Sequence, residues 1–137
     1  LPAMGDAALG VISGTFWGPD FNNPANKQFV EEFEKKFNRI PSQYAAQSYD
    51  AALLLDSAIA KVKGNVADKK AFGDALKAAD FKSVRGDFKF GNNHIPIQSF
   101  YLQDVVKDAD GSLALKTVAT IVKDSQDKHH GKCPMKW

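Results

Sequence analysis

The chain has 137 residues, of which 44% are hydrophobic and 25% are charged, and its formal net charge is +2. This composition is typical of a globular protein with one core, and it excludes an intrinsically disordered chain. Basic and acidic residues are interleaved, so no basic patch for nucleic acid is predicted. No apolar run approaches the roughly 20 residues of a membrane span.

The first predicted element is a strand over about Leu9–Phe16, within the sequence ALGVISGTFWGPD. This stretch is short and rich in β-branched residues, and Gly18 with Pro19 ends it in a turn. Ligands of open α/β sheets bind beyond the carboxyl ends of the strands. The aromatic residues at this end, Phe16 and Trp17, are therefore candidate ligand contacts, although Trp17 can equally be a core residue.

A helix is predicted to follow, starting after Asn23 and ending before Pro41. Asn23 can cap its first turn, and Pro24 suits the first helical position because that position needs no N–H donor. Phenylalanines recur every four residues and charged residues fill the opposite side, which indicates an amphipathic helix. These phenylalanines are Phe29, Phe33 and Phe37.

A longer helix is predicted in PSQYAAQSYDAALLLDSAIAKV, with Ser42 as its cap and Gly64-Asn65 as its stop. Its body is apolar, but its first turns carry Tyr44 and Gln47, which lie one turn apart and can face one cavity. The unpaired N–H groups of the helix start suit a polar or anionic ligand group. A helix-stapling role for Tyr44 and a solvated Gln47 are the alternatives.

A third helix, capped by Asp68, precedes a change to the alternating pattern of strands. Phe88 and Phe90 share one face of the first predicted strand, and GNN forms the turn after it. The next two strands, IQSFYLQDVV and LALKTVATIV, form a hairpin whose tip is Asp110-Gly111. The order is one strand, three helices and three strands, which predicts an α/β fold. Long helices normally cover a parallel sheet, so we expect further strands upstream of Leu1.

No motif in the sequence indicates catalysis, a metal or a cofactor. The nucleophile-elbow, P-loop, dinucleotide and zinc-protease patterns are absent, and Asp50 and Asp56 point to different faces of their helix. His129, His130 and Cys133 supply three soft ligands where a structural zinc site needs four. We therefore expect no enzyme, no metal and no cofactor. A zinc-bound tail or an enzyme is a weaker hypothesis.

Several stretches taken together resemble a known family. They are GTFWGPDFNNPANKQFVEEFEKKFNRIPSQYAAQSYDAALLLDSAI, ADFKSVRGDFKFGNNHIPIQSFYLQDVVKDADG and TVATIVKD. In this order they are similar to the C-terminal portion of type I periplasmic solute-binding proteins of ABC importers, in the leucine/isoleucine/valine-binding branch. The same fold also serves receptors and regulators, so the fold alone does not decide the function.

The resemblance implies a Venus-flytrap protein of two α/β lobes joined by a hinge. Residues 1–137 would contribute to both lobes and to the hinge, and the remainder of the polypeptide would lie upstream. It also implies a non-catalytic receptor, periplasmic or extracellular and membrane-associated, that delivers its ligand to ABC permease subunits. The alternative is a ligand-sensing module of a regulator or receptor.

In relatives, a position about one turn before the tyrosine of SYDAA contacts the ligand between the lobes. The resemblance places Ala46 there, flanked by Tyr44 and Gln47, with Phe16 and Trp17 as further contacts. A small residue would leave room for a bulky ligand, and aromatic walls would suit an apolar body. The expected ligand is a branched-chain or aliphatic amino acid or an aromatic acid, of which the aromatic acid is favoured.

Overall fold

A computed structural model describes residues 3–135, and Leu1, Pro2, Lys136 and Trp137 lie outside the described part. The predicted order of one strand, three helices and three strands is confirmed. Its elements are β1 (Ile12–Thr15), α1 (Pro24–Phe37), α2 (Gln43–Lys61), α3 (Lys69–Ala78), β2 (Lys89–Phe90), β3 (Pro96–Lys107) and β4 (Leu113–Ser125). Among the helices of residues 3–135, none combines the length and the apolar character that a membrane span requires.

The three helices begin at the capping residues that the sequence predicts. The side chains of Asn23, Ser42 and Asp68 each accept a hydrogen bond from the backbone N–H three residues later. Each cap satisfies an N–H that has no partner inside its helix, which fixes the first turn locally. α1 ends before Pro41 because Asn38 adopts a left-handed conformation with φ of 49° and closes the helix.

β1 is shorter than the predicted strand Leu9–Phe16. Leu9 follows a short 3₁₀ turn over Gly5–Ala8, and Gly10 has a φ of +76°, which no extended strand contains. Pairing nevertheless begins early, since the N–H of Gly10 donates to the carbonyl of Val105 at 3.0 Å. The left-handed glycine therefore delays the regular strand without breaking its contact with β3.

β3 is the centre of the sheet and pairs antiparallel with β1, β2 and β4. The register places Gly14 of β1 opposite Leu102, and Leu102 opposite Ala119 of β4. The β3–β4 hairpin turns at Asp110 and Gly111, as predicted, with Gly111 at a φ of +84°. Three register shifts interrupt the pairing between Gln98 and Gln103, so this hairpin bends along its length.

The core lies where α1 and α2 meet the loop that follows β1. Trp17, Phe29, Ala46 and Val84 form its buried centre. Phe29 stacks at a tilt on Tyr49 of α2, with 4.7 Å between the ring centroids, and meets the edge of Trp17 at 6.0 Å. The four-residue phenylalanine repeat of α1 thus supplies packing against α2, with Phe37, which is half exposed, at the outer end.

Candidate functional site

The loop after β1 is held in one conformation by Asn26, whose side chain is fully buried. The indole N–H of Trp17 donates to Asn26 Oδ1 at 2.6 Å. The amide nitrogen of Asn26 lies within 3.1–3.2 Å of the carbonyl oxygens of Gly18, Pro19 and Phe21 and donates to them. One side chain of α1 therefore satisfies the polar groups of the turn that carries Phe16 and Trp17.

The close packing of this loop favours a glycine at position 18, because an added Cβ would force three side-chain ends to move. A Cβ atom there would lie 2.5 Å from Gln103 Nε2 and 2.8 Å from Thr117 Oγ1, which is far inside van der Waals contact. Gln103 and Thr117 belong to β3 and β4, so the loop is pressed directly against the sheet. Thr15 completes the contact by donating its hydroxyl to the carbonyl of Trp17 at 3.0 Å.

The first turns of α2 separate their residues onto two sides. Ala46 is buried in the core together with Trp17 and Phe29. Tyr44 points outward and is 69% exposed, and Gln47 is also exposed. The polar and aromatic side chains at the start of α2 are therefore exposed to solvent, whereas the buried residues of the helix pack against the rest of the domain.

The structure brings together some of the five predicted site residues. Trp17 and Ala46 join the buried cluster, and Phe16 packs on that cluster as a half-buried residue. Tyr44 and Gln47 lie on the exposed side of α2. With Trp17 only 2% exposed, its indole is a core group in the described part of the chain. The assignment of these five residues to a ligand site stays a prediction.

A buried charged network at the second turn of α2 was missed by the sequence interpretation. Asp50 is 2% exposed and accepts hydrogen bonds from Ser83 Oγ at 2.6 Å and from the backbone N–H of Val84 at 2.9 Å. Its third donor is Arg85 Nε, at 2.8 Å. The signal was available: a carboxylate on the inward face of a helix needs a charged partner, and such a partner is distant in sequence.

Arg85 also joins the network to the residues beyond β1. Its guanidinium lies over the ring of Phe88, 4.5 Å from the ring centroid, and over the ring of Phe16 at 5.6 Å. One terminal nitrogen donates to Gln98 Oε1 of β3 at 3.1 Å. The side chain is 10% exposed, so α2, the loop after α3, and β3 are held together by one nearly buried cation.

The histidines and the cysteine near the C-terminus do not form a metal centre in residues 3–135, where no group of three His, Cys, Asp or Glu side chains could hold an ion. Cys133 is a free thiol of intermediate exposure. His130 instead takes part in a short 3₁₀ turn over His130–Lys132, and its carbonyl accepts from the side chain of Asn92 at 2.9 Å. This tail is docked on the β2–β3 loop by hydrogen bonds.

The fold has counterparts among the solute-binding proteins of ABC transporters. A solute-binding protein from R. palustris, solved in complex with benzoate, superposes with a TM-score of 0.83 at 32% identity over 93% of this chain and 34% of its own. A second, from Rhodopseudomonas palustris BisB5 in complex with 3,4-dihydroxybenzoic acid, gives 0.75 at 31% identity over 96% of this chain and 35% of its own.

The family model described as "Periplasmic binding protein" matches residues 1–111, and the chain belongs to this family. It is also 31% identical over 128 residues to "Leu/Ile/Val-binding protein homolog 6" of Brucella abortus (strain 2308), covering 90% of this chain and 32% of that protein. The chain thus spans about a third of the length of these relatives. Family membership confirms the predicted α/β fold of the type I binding proteins and a non-enzymatic class of protein.

Proposed function

We propose that this chain is part of the extracytoplasmic solute-binding component of an ABC importer, which passes its ligand to permease subunits at the membrane. The observation that carries the proposal is the match to the benzoate-bound solute-binding protein, which extends over 93% of the chain. The family match over residues 1–111 supports the same role. No catalytic motif in the sequence competes with it.

We propose an aromatic carboxylate as the ligand, with a branched-chain amino acid as the alternative. Two similar structures hold benzoate and 3,4-dihydroxybenzoic acid, which are flat rings that carry one carboxyl group. The name of the Brucella relative supports the alternative. A flat ring suits a pocket that has aromatic walls, because offset stacking adds to the burial of apolar area.

In this proposal the ligand lies at the mouth of α2, by which we mean its first two turns with the exposed residues Tyr44 and Gln47. Tyr44 and Gln47 contact it directly, since both are exposed. Phe16, Trp17 and Ala46 form the wall behind them and fix the orientation of the helix. The contribution of Tyr44 is an aromatic face and a hydroxyl, a combination common in ligand pockets.

Apolar surfaces of the chain support its place in a larger two-lobed protein. On α2, Leu55 and Ile59 are 47% and 42% exposed, and on the sheet Ile12 and Ile121 are 62% and 58% exposed. Surfaces of this kind are commonly interfaces. We propose that the remainder of the polypeptide covers them and completes the ligand cleft, with binding favouring the closed arrangement of the lobes.

The test is a ligand screen on the protein as its gene encodes it. Benzoate, 4-hydroxybenzoate, leucine and valine are compared by thermal shift and then by calorimetry, because a ligand that binds only the native state raises its melting temperature. Tyr44→Ala should weaken binding of the best ligand at least about tenfold, the cost of about 1.4 kcal/mol of lost contact. Phe37→Ala removes another exposed aromatic side chain, at the far end of α1, and is the matched control.

Failure of all four ligands to bind would contradict the proposed ligand classes. Equal affinities of the wild type, Tyr44→Ala and Phe37→Ala would contradict the proposed site while leaving the receptor role in place.

A further inference from the structure

A partly enclosed cavity of about 260 Å³ borders Phe16. Its walls come from the loop after α3, the start of β3 and the end of β4. Phe16, Phe88 and Tyr101 are among its lining residues. This volume is slightly below the roughly 300–1,000 Å³ typical of ligand pockets, so the cavity suits only a small organic molecule.

The polar wall of this cavity contains a nearly buried guanidinium whose donors are only partly used. Arg85 has five N–H groups. Its Nε donates to Asp50 and one terminal nitrogen donates to Gln98, but within residues 3–135 its other terminal nitrogen has no hydrogen-bond partner. The side chain is 10% exposed, and Arg85 is one of the residues that line the cavity. Unpaired donors of a buried charged group are costly unless an acceptor is present.

Two further donors line the same cavity. Ser99 Oγ accepts a hydrogen bond from the backbone N–H of Asp124 at 3.1 Å, which leaves its hydroxyl hydrogen available to a ligand. Lys123, an exposed residue of β4, also belongs to the lining and carries an ammonium group. Asp124 has a φ of 49°, an unfavourable value for a residue with a side chain, at the point where the β3–β4 pairing shifts its register. Backbone strain of this kind tends to occur at functional sites.

We propose that this cavity binds a monocarboxylate with a small apolar body. The carboxylate accepts hydrogen bonds from the free terminal nitrogen of Arg85 and from Ser99, and the apolar body lies against Phe16 and Tyr101. A planar carboxylate matches the fork of a guanidinium. This site is separate from the mouth of α2, shares only Phe16 with it, and does not depend on the import function.

The charges around the cavity restrict the ligand to one negative charge. Asp50 already neutralises Arg85, and Asp87 and Asp124 are both part of the lining. Recognition therefore rests on directed N–H and O–H donors and on Lys123, without an excess of positive charge. A phosphate dianion would be repelled by the two carboxylates, so inorganic phosphate is the discriminating probe.

The experiment monitors the NMR signal of the Arg85 guanidinium during ligand titration. In the protein as its gene encodes it, labelled with ¹⁵N, the Arg85 Nε–H signal is assigned by its loss in Arg85→Lys and is then monitored during titrations with benzoate, L-phenylalanine and inorganic phosphate. We expect a saturable shift with at least one of the two carboxylates and none with phosphate. A response to benzoate identifies an aromatic acid as the source of the carboxylate, and a response to L-phenylalanine alone identifies an amino acid.

Two charge variants test the site without disturbing the Asp50–Arg85 pair. Lys123→Glu places a carboxylate in the cavity lining and should weaken the titrated affinity about tenfold or more. Lys116→Glu makes the same change on β4 at an exposed residue outside the lining, and it should leave the affinity unchanged. Absence of a shift with both carboxylates, an equal response to phosphate, or equal affinities of the two variants would overturn the proposal. An intact Arg85 response together with a thermal shift that Tyr44→Ala leaves unchanged would contradict the proposed site at the mouth of α2 alone.

Discussion

Removal of the Asp50 carboxylate is expected to be among the most damaging single substitutions on α2. Asp50 is 2% exposed and holds three donors: Ser83 Oγ, the N–H of Val84 and Arg85 Nε. Asp50→Ala would leave the guanidinium nearly buried without its counter-charge and would also orphan a hydroxyl and a backbone N–H. Breaking a buried ion pair from one side costs about 3–5 kcal/mol, of a total stability of about 5–15 kcal/mol for a typical protein.

The measurement is equilibrium unfolding in urea, monitored by tryptophan fluorescence. Trp17 lies in the core next to Ala46, one helical turn from Asp50, so its emission reports on this part of the protein. A loss of about 3–5 kcal/mol lowers the urea midpoint by roughly 1–2.5 M when the slope is about 2–3 kcal/mol per molar. Asp56→Ala, at an exposed position of the same helix, is the matched control and should change stability by less than about 0.5 kcal/mol.

The origin of the loss is tested by removing both charges. Arg85→Met in the Asp50→Ala background eliminates the unpaired cation, so the double variant should be more stable than Asp50→Ala alone, with a coupling of about 1–3 kcal/mol. If Asp50→Ala is as stable as Asp56→Ala, the buried pair does not stabilise the fold and the reasoning fails. If the double variant is no more stable than the single one, the cost does not come from the orphaned charge.

Three further predictions concern other parts of the chain. Asn26→Ala removes the acceptor of the Trp17 indole and the donor to the loop carbonyls, and should destabilise the protein by about 2–4 kcal/mol in the same urea assay. Gly18→Ala should destabilise the protein by about 1–3 kcal/mol, because the side-chain ends of Gln103 and Thr117 must move away from the new Cβ; a variant with wild-type stability would show that they relax easily. Hydrogen bonds from Ser112 lower the pKa of Asp110. Ser112→Ala should therefore raise that pKa toward 3.8 in a carboxyl NMR titration. In the wild type, the stabilisation that these hydrogen bonds give should be lost as the pH falls through the lowered pKa.

The sequence predicted those parts of the fold that are determined within a few residues. Asn23, Ser42 and Asp68 cap helices through bonds to the third residue onward, and such bonds need no information from the rest of the chain. The hairpin turn at Asp110-Gly111 is equally local. The exact start of β1 was not predictable in this way, because the conformation of Gly10 depends on its pairing with Val105 in β3.

The candidate site was less predictable because its polar groups meet over long sequence separations. Asp50 and Arg85 are 35 residues apart, and Arg85 reaches Gln98 a further 13 residues on. A sequence shows that Asp50 lies on the apolar side of a helix, but it does not show which cation will neutralise it. The family resemblance predicted ligand contacts at the start of α2, whereas the position of the Arg85 guanidinium beside Phe16 depends on contacts between residues far apart in the sequence.

The polar residues at the start of α2 therefore differ in their physical roles. Asp50 anchors the helix to Arg85 and through it to β3, whereas Tyr44 is exposed and free to contact a ligand. Because Arg85 also lies over the ring of Phe16, the same cation links the helix mouth to the end of β1. A ligand that binds Arg85 in the cavity would then alter the contacts of Arg85 with both Asp50 and Phe16. Occupation of the Arg85 cavity should accordingly change the affinity at the mouth of α2, and thermodynamic reciprocity requires an equal effect in the opposite direction.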